Sequence, residues 1–232
     1  MGHVALNLGD VQAKVVAAAV RAGRDPETVT LVCVTKTVDE ERIREAFDAG
    51  ARVFGENRVQ EALAKIATGW PGVSWHLIGS LQKNKARHVV GVFDLIHSLD
   101  GIELAVEVDR RAAALGVVQK ALIEVNIASE ASKHGVTPEE ALPLALSLQK
   151  LSNIEVVGLM CVPPFTDDAE ESRPHFIRLR GLLEEINAAG IPMRELSMGM
   201  TQDYEVAVEE GATLVRVGTA IFGARAAAAP AA

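Results

Sequence analysis

Cysteine and tyrosine are nearly absent from this chain: among 232 residues there are two cysteines, Cys33 and Cys161, and one tyrosine, Tyr204. Both cysteines stand inside apolar, strand-like runs with no second cysteine or histidine at metal-ligand spacing. That argues against a disulfide framework or a cysteine-based zinc site and leaves two buried, reduced thiols. No apolar run approaches the roughly 18 residues that a membrane-spanning helix needs. An export signal is missing too, because Asn7, Asp10, Gln12 and Lys14 break up the first segment, so a cytoplasmic location is expected. Positive charge is in deficit: a formal net charge of −8 argues against a broad nucleic-acid surface while leaving room for a small local anion site.

What is abundant is apolar sequence, 49% of the chain, arranged in short runs. Thr30-Leu31-Val32-Cys33-Val34-Thr35-Lys36 reads as a strand buried on both faces, the kind found in parallel sheets. Thr37-Val38-Asp39-Glu40 then fits a capping box, and Ile43, Ala46 and Phe47 recur at helical spacing until Gly50. The alternation repeats. Strand-like runs at Arg52–Gly55, Trp75–Gly79, Asp94–Ser98, Ala121–Asn126, Glu155–Val162, Glu195–Ser197 and Thr213–Val217 are each followed by a helical pattern. The helices are expected at Glu56–Ala67, Leu81–Val90, Gly101–Leu115, from Thr137-Pro138-Glu139-Glu140 onward, through Phe176–Ile186, at Gln202–Glu210 and at Thr219–Ala226. Eight units averaging about 29 residues match an α/β chain folded as a closed (β/α)8 TIM barrel. One domain over 1–232 is expected, with the barrel at about 29–226, no added C-terminal β-domain and a frayed alanine-rich tail at 227–232. An open doubly wound sheet would more often carry a G-x-G-x-x-G turn after its first strand, where this chain has Lys36. The segment from about Asp10 to Ala22 reads as an extra amphipathic helix, expected to cover the bottom of the barrel.

In such barrels chemistry sits on the loops after the strands, and phosphates commonly bind after strands seven and eight. Alternation places Lys36 on the face of Val32 and Val34, so an amine is delivered to the lip of whatever that face encloses; it could equally leave the strand for water. Ser197-Met198-Gly199-Met200-Thr201 and Val217-Gly218-Thr219-Ala220 each join a glycine to a hydroxyl, as a phosphate cup would and as an ordinary capped turn would. Arg216, inside an apolar strand, needs either a structural carboxylate or a ligand atom. Asn57 and His76, at strand ends, point toward the same rim, although His76 also fits a hydrogen-bonded core histidine. Lys83 and Arg87 share a solvated face. One amine opposite one phosphate site suits a phosphorylated aldehyde held as a Schiff base, with pyridoxal phosphate the best fit and an aldol substrate the other candidate.

Several strings carry a specific resemblance: Val34-Thr35-Lys36-Thr37, Phe54-Gly55-Glu56-Asn57, the run from Trp75 to Lys85, Gly158-Leu159-Met160, Ser197-Met198-Gly199-Met200 and the run from Val215 to Gly223. In this order, from about Val29 to Arg225, the chain resembles the pyridoxal phosphate homeostasis proteins, single-barrel relatives of the alanine racemase barrel. The resemblance implies pyridoxal 5'-phosphate (PLP) on Lys36, with Ser197, Gly199, Gly218 and Thr219 at the phosphate, Arg216 facing the pyridine nitrogen and Asn57 lining the ring. An arginine there disfavours a protonated ring nitrogen and weakens the cofactor as an electron sink. It further implies a carrier or regulator of the free cofactor pool, without established turnover, with PLP-dependent apoenzymes as recipients. Asn126, Glu130, Lys133 and Gly135 match as well, whereas Arg58 stands where many relatives have tyrosine and Thr201 where many have serine. A monomer is expected. The enzyme alternative, an amino-acid racemase, needs a second acid/base opposite the lysine, and Tyr204 is the one tyrosine available. A Schiff-base aldolase without cofactor is the third reading, set apart by its lack of colour.

Overall fold

The computed structural model describes residues 2–130 and 134–223, so Lys133 and the alanine-rich tail lie outside the described residues. Among the described residues eight parallel strands close into a barrel in chain order, as the repeated strand and helix pattern predicts. The strands are β1 (Thr30–Val34), β2 (Val53–Glu56), β3 (Ser74–Leu77), β4 (Leu95–Leu99), β5 (Gln119–Glu124), β6 (Ile154–Met160), β7 (Glu195–Ser197) and β8 (Leu214–Val217). Around them lie α1 (His3–Arg21), α2 (Glu40–Asp48), α3 (Val59–Ile66), α4 (Ile102–Leu115), α5 (Pro138–Leu148), α6 (Arg173–Ala188), α7 (Tyr204–Glu209) and the single turn α8 (Thr219–Phe222).

Local chemistry accounts for most of these boundaries. Thr137 and Glu140 close a capping box on α5 with Pro138 at the first helical position, where its missing N–H costs nothing. Along α6 the residues Phe176, Leu179, Leu182, Leu183 and Ile186 are all buried, the stripe expected from their spacing. At α2 the cap is Asp39, whose carboxylate accepts from the Arg42 amide, and not Thr37. Thr37 is unavailable because it adopts a φ of 61° in the turn before the helix. After β3 the expected α-helix is instead a 3-10 segment, Lys83–His88, whose buried residue is Ala86 and which Val89 ends.

The extra N-terminal helix is present and longer than the sequence suggests, but it does not cover the bottom. It packs along the outer wall against α7 and α8. The Asn7 amide donates to the Ile221 carbonyl at 3.0 Å and the Arg21 guanidinium pairs with Glu205 and Glu209 of α7. Because α8 is only one turn long, α1 fills the slot in the outer ring that a full eighth helix would occupy. Its buried face, Leu8, Val11 and Val15, contributes about 1.5–3 kcal/mol per fully buried side chain. The bottom mouth is left as a cavity of about 520 Å³ whose lining includes Thr30, Ser74, His76, Asp94, Lys120 and Glu195.

Two cores result. One lies between strands and helices and holds both cysteines; burial pushes the Cys33 thiol up to about 12, so it stays protonated and inert. The other fills the barrel interior with Val32, Leu95, Leu122, Met160 and Leu214. Through that apolar filling runs a polar strip, His76, His97, Ser197 and Arg216, all buried.

Candidate cofactor site

β1 ends at Val34, and Lys36 sits in the turn just beyond it, half-buried, rather than as the last residue of the strand. Strand register fixes its neighbours. Val34 pairs with Gly55 of β2 and Val32 with Arg216 of β8; continued two residues past the paired segment, that register sets Lys36 level with Asn57 on one side and with the turn after β8 on the other. A Cβ on Gly218 would lie 3.2 Å from the Val34 carbonyl oxygen, closer than a side chain tolerates comfortably. Glycine is therefore what lets the start of α8 approach β1.

The turn carrying Lys36 is clamped from outside the barrel. Lys65 of α3 donates to the Thr35 carbonyl at 2.7 Å, to Glu56 at 2.7 Å and to Glu61 at 2.8 Å. Glu61 in turn accepts from the Thr37 amide at 2.6 Å, and the buried Thr35 hydroxyl donates to Glu56 at 2.6 Å. Both peptides flanking Lys36 are thus held by one ion cluster. Burial raises the Glu56 carboxyl above its ordinary value, opposed by the bonds from Lys65 and Thr35.

On the far side two glycine turns face the same mouth. The amides of Thr219 and Ala220 open α8 and have no intrahelical acceptor, while the Thr219 side chain is exposed. Gly199 holds a φ of 88° and would place a Cβ 2.5 Å from that of Ala207, so no other residue fits. Its carbonyl accepts from the Arg216 amide at 3.0 Å, tying the two turns together. The Met200 amide is already taken by the Asp203 carboxylate at 2.7 Å.

Arg216 lies at the floor between these turns. Its Nη1 donates to the Ser197 hydroxyl and its Nη2 to the Cys161 carbonyl at 2.9 Å. Among the described residues no carboxylate comes within 4 Å of it, so the structural ion pair considered from sequence is absent. A guanidinium has five N–H groups and stays charged even though burial lowers its pKa. This one needs a further acceptor, and an unprotonated ring nitrogen is the kind of atom that satisfies it.

Two residues expected at the rim are not there. The Ser197 hydroxyl points into the barrel, bonded to Arg216 and to His97 Nδ1 at 2.8 Å, so its side chain is spent before it could reach a phosphate. His76 faces inward on β3, bonds His97 through Nδ1 at 3.0 Å and lines the opposite mouth. Parity along β3 puts it one layer below the rim, which end-of-strand reasoning alone does not resolve. The sequence reading missed His97; the signal was available in Leu95-Ile96-His97-Ser98-Leu99, where a histidine shares the inward parity of Leu95. Burial is the first cause that drives His97 well below its ordinary pKa, reinforced by His76 and Arg216; burial likewise takes His76 down to about 4. Of the residues matched in the fifth loop, the Asn126 amide bonds the Glu130 backbone at 2.8 and 3.0 Å, and Gly135 has a φ of 102° against the Glu124 carbonyl. Tyr204, the acid of the racemase reading, is buried in the outer core on α7.

The family model for the alanine racemase N-terminal domain matches residues 7–226. The pyridoxal phosphate homeostasis protein of Aquifex aeolicus is 44% identical over 220 residues, covering 94% of this chain and 96% of its own. The chain belongs to the pyridoxal phosphate homeostasis protein family. A second member, from Pseudomonas aeruginosa, is 43% identical over the whole of both chains. Among solved structures, PipY of Synechococcus elongatus with PLP bound is 39% identical with a TM-score of 0.79, covering 92% of this chain and all of that one. PipY, a chain of similar fold, has thus been seen with PLP bound.

Proposed function

We propose that this chain binds PLP in the C-terminal mouth of its barrel and serves PLP homeostasis, holding the cofactor as a Schiff base on Lys36 and passing it to PLP-dependent apoenzymes. The observation that carries the reading is a register: β1 runs between β2 and β8, so its continuation brings Lys36 level with Asn57 and the Gly218-Thr219 turn, while the guanidinium of Arg216 is buried and, among the described residues, has no carboxylate paired with it. PLP brings an aldehyde for the amine, a phosphate for the helix amides and a ring nitrogen for the arginine. The names of the relatives and the PLP-bound PipY structure support the same assignment. Phosphate contacts fall to Thr219 and the amides that open α8, with Gly199 and Gly218 shaping the two turns. Ser197 and His76 act from below, on the arginine.

The test is the visible spectrum of the chain incubated with PLP. Wild type should show an absorption band that borohydride reduction shifts, and Lys36→Ala should show none. A Lys36→Ala protein with the same band and the same response to borohydride would overturn the assignment.

A further inference from the structure

Arginine can only donate hydrogen bonds, and that fact orients everything connected to Arg216. Its Nη1 occupies one lone pair of the Ser197 oxygen, and among the described residues the Ser197 hydroxyl has one other neighbour, His97 Nδ1. If the Ser197 O–H is to be satisfied, it must donate to that nitrogen. His97 is then the neutral Nε2–H tautomer, and its N–H donates across the barrel to His76 Nδ1. His76 must be the Nε2–H tautomer as well. Its Nε2 has no protein partner among the described residues, and the residue lines the bottom cavity. The reverse orientation would leave a hydroxyl proton buried without an acceptor, which costs more than the bond is worth. A cation on His97 would stand beside a buried guanidinium that has no carboxylate paired with it among the described residues.

We propose that His97 is a positioning residue for Arg216: as a neutral Nε2–H imidazole it takes the Ser197 hydroxyl proton, leaves the Ser197 oxygen to receive the guanidinium, and extends a one-way hydrogen-bond chain through the barrel to His76 at the opposite mouth. The proposal rests on the reading of Arg216 as the partner of the ring nitrogen. The chain cannot conduct protons to the cofactor, since it ends on a group that does not give one up at neutral pH. Its work is geometric, holding one face of the guanidinium so that the remaining N–H groups are aimed at the mouth.

Long-range proton–nitrogen NMR of the uniformly labelled full chain without cofactor tests the tautomers directly. Both His97 and His76 should be neutral with the proton on Nε2 at neutral pH; a cationic ring, or a proton on Nδ1 of either, overturns the proposal. With PLP, His97→Leu should bind about tenfold or more weakly and shift the visible band of the loaded protein, on the scale of losing a bond to a charged group. His97→Gln, whose amide both accepts and donates, should recover most of both. Thermal midpoints are measured alongside, since a packing role alone would track stability and leave the band of folded protein in place. Unchanged affinity and band in a folded His97→Leu protein would sink the proposal while leaving the PLP reading intact. If wild type took up no PLP, that reading would fail, and the NMR result would still decide the chain.

Discussion

The Lys65 ammonium lies 2.7 Å from the carbonyl oxygen of Thr35, the residue immediately before Lys36. A lysine on an outer helix therefore fixes the backbone that carries Lys36. The other end of the cluster is Glu56, fully buried, whose second oxygen has no hydrogen-bond partner among the described residues. Lys65→Met leaves that carboxylate without its counter-charge, and the loss should be about 3 kcal/mol by urea unfolding. Adding Glu56→Gln should restore much of it, because removing both charges also removes the cost of burying them. If Lys65→Met proved neutral, the clamp would be ornamental.

Gly199 offers a cleaner backbone test. Its φ is 88°, and a Cβ at this position would come within 2.5 Å of the Ala207 side chain, so Gly199→Ala must strain the turn or move α7. A loss of about 1–3 kcal/mol is expected from the left-handed conformation alone. An alanine variant with wild-type stability would show that the turn is not held as described.

Acid should weaken the fold through its buried histidines. Folded His76 titrates at about 4, whereas an unfolded histidine takes its proton at about 6.5. Between those values only the unfolded chain is protonated, so stability is complete above about pH 6.5 and falls as pH drops toward 4, by about 3 kcal/mol from this one group. His97, also displaced downward by burial, steepens the fall. His76→Gln should flatten the pH dependence of the urea midpoint over this window; an unchanged slope would show that His76 is not buried neutral.

Eight strands were legible because each here is a short apolar run between polar turns, and the parity reading correctly sets Val32 in the barrel interior. What could not be read was depth. Ser197, His76 and Arg216 share inward parity with the rim residues, but a barrel has layers, and parity does not say in which one a side chain ends. Only the closed sheet shows Ser197 and His97 meeting from β7 and β4, 100 residues apart in sequence. The place of α1 was equally hidden, since it depends on α8 being one turn long. Lys65 and Glu61 stand four residues apart on α3, and it takes the fold to bring Thr35 and Thr37 against them.

The central claim is tested most directly by reducing the PLP-loaded chain with borohydride, digesting it and finding the peptide that carries the added pyridoxyl phosphate mass. The label should reside on Lys36 and on no other residue in stoichiometric amount. A label on Lys65, or spread over surface lysines such as Lys83 and Lys85, would contradict it.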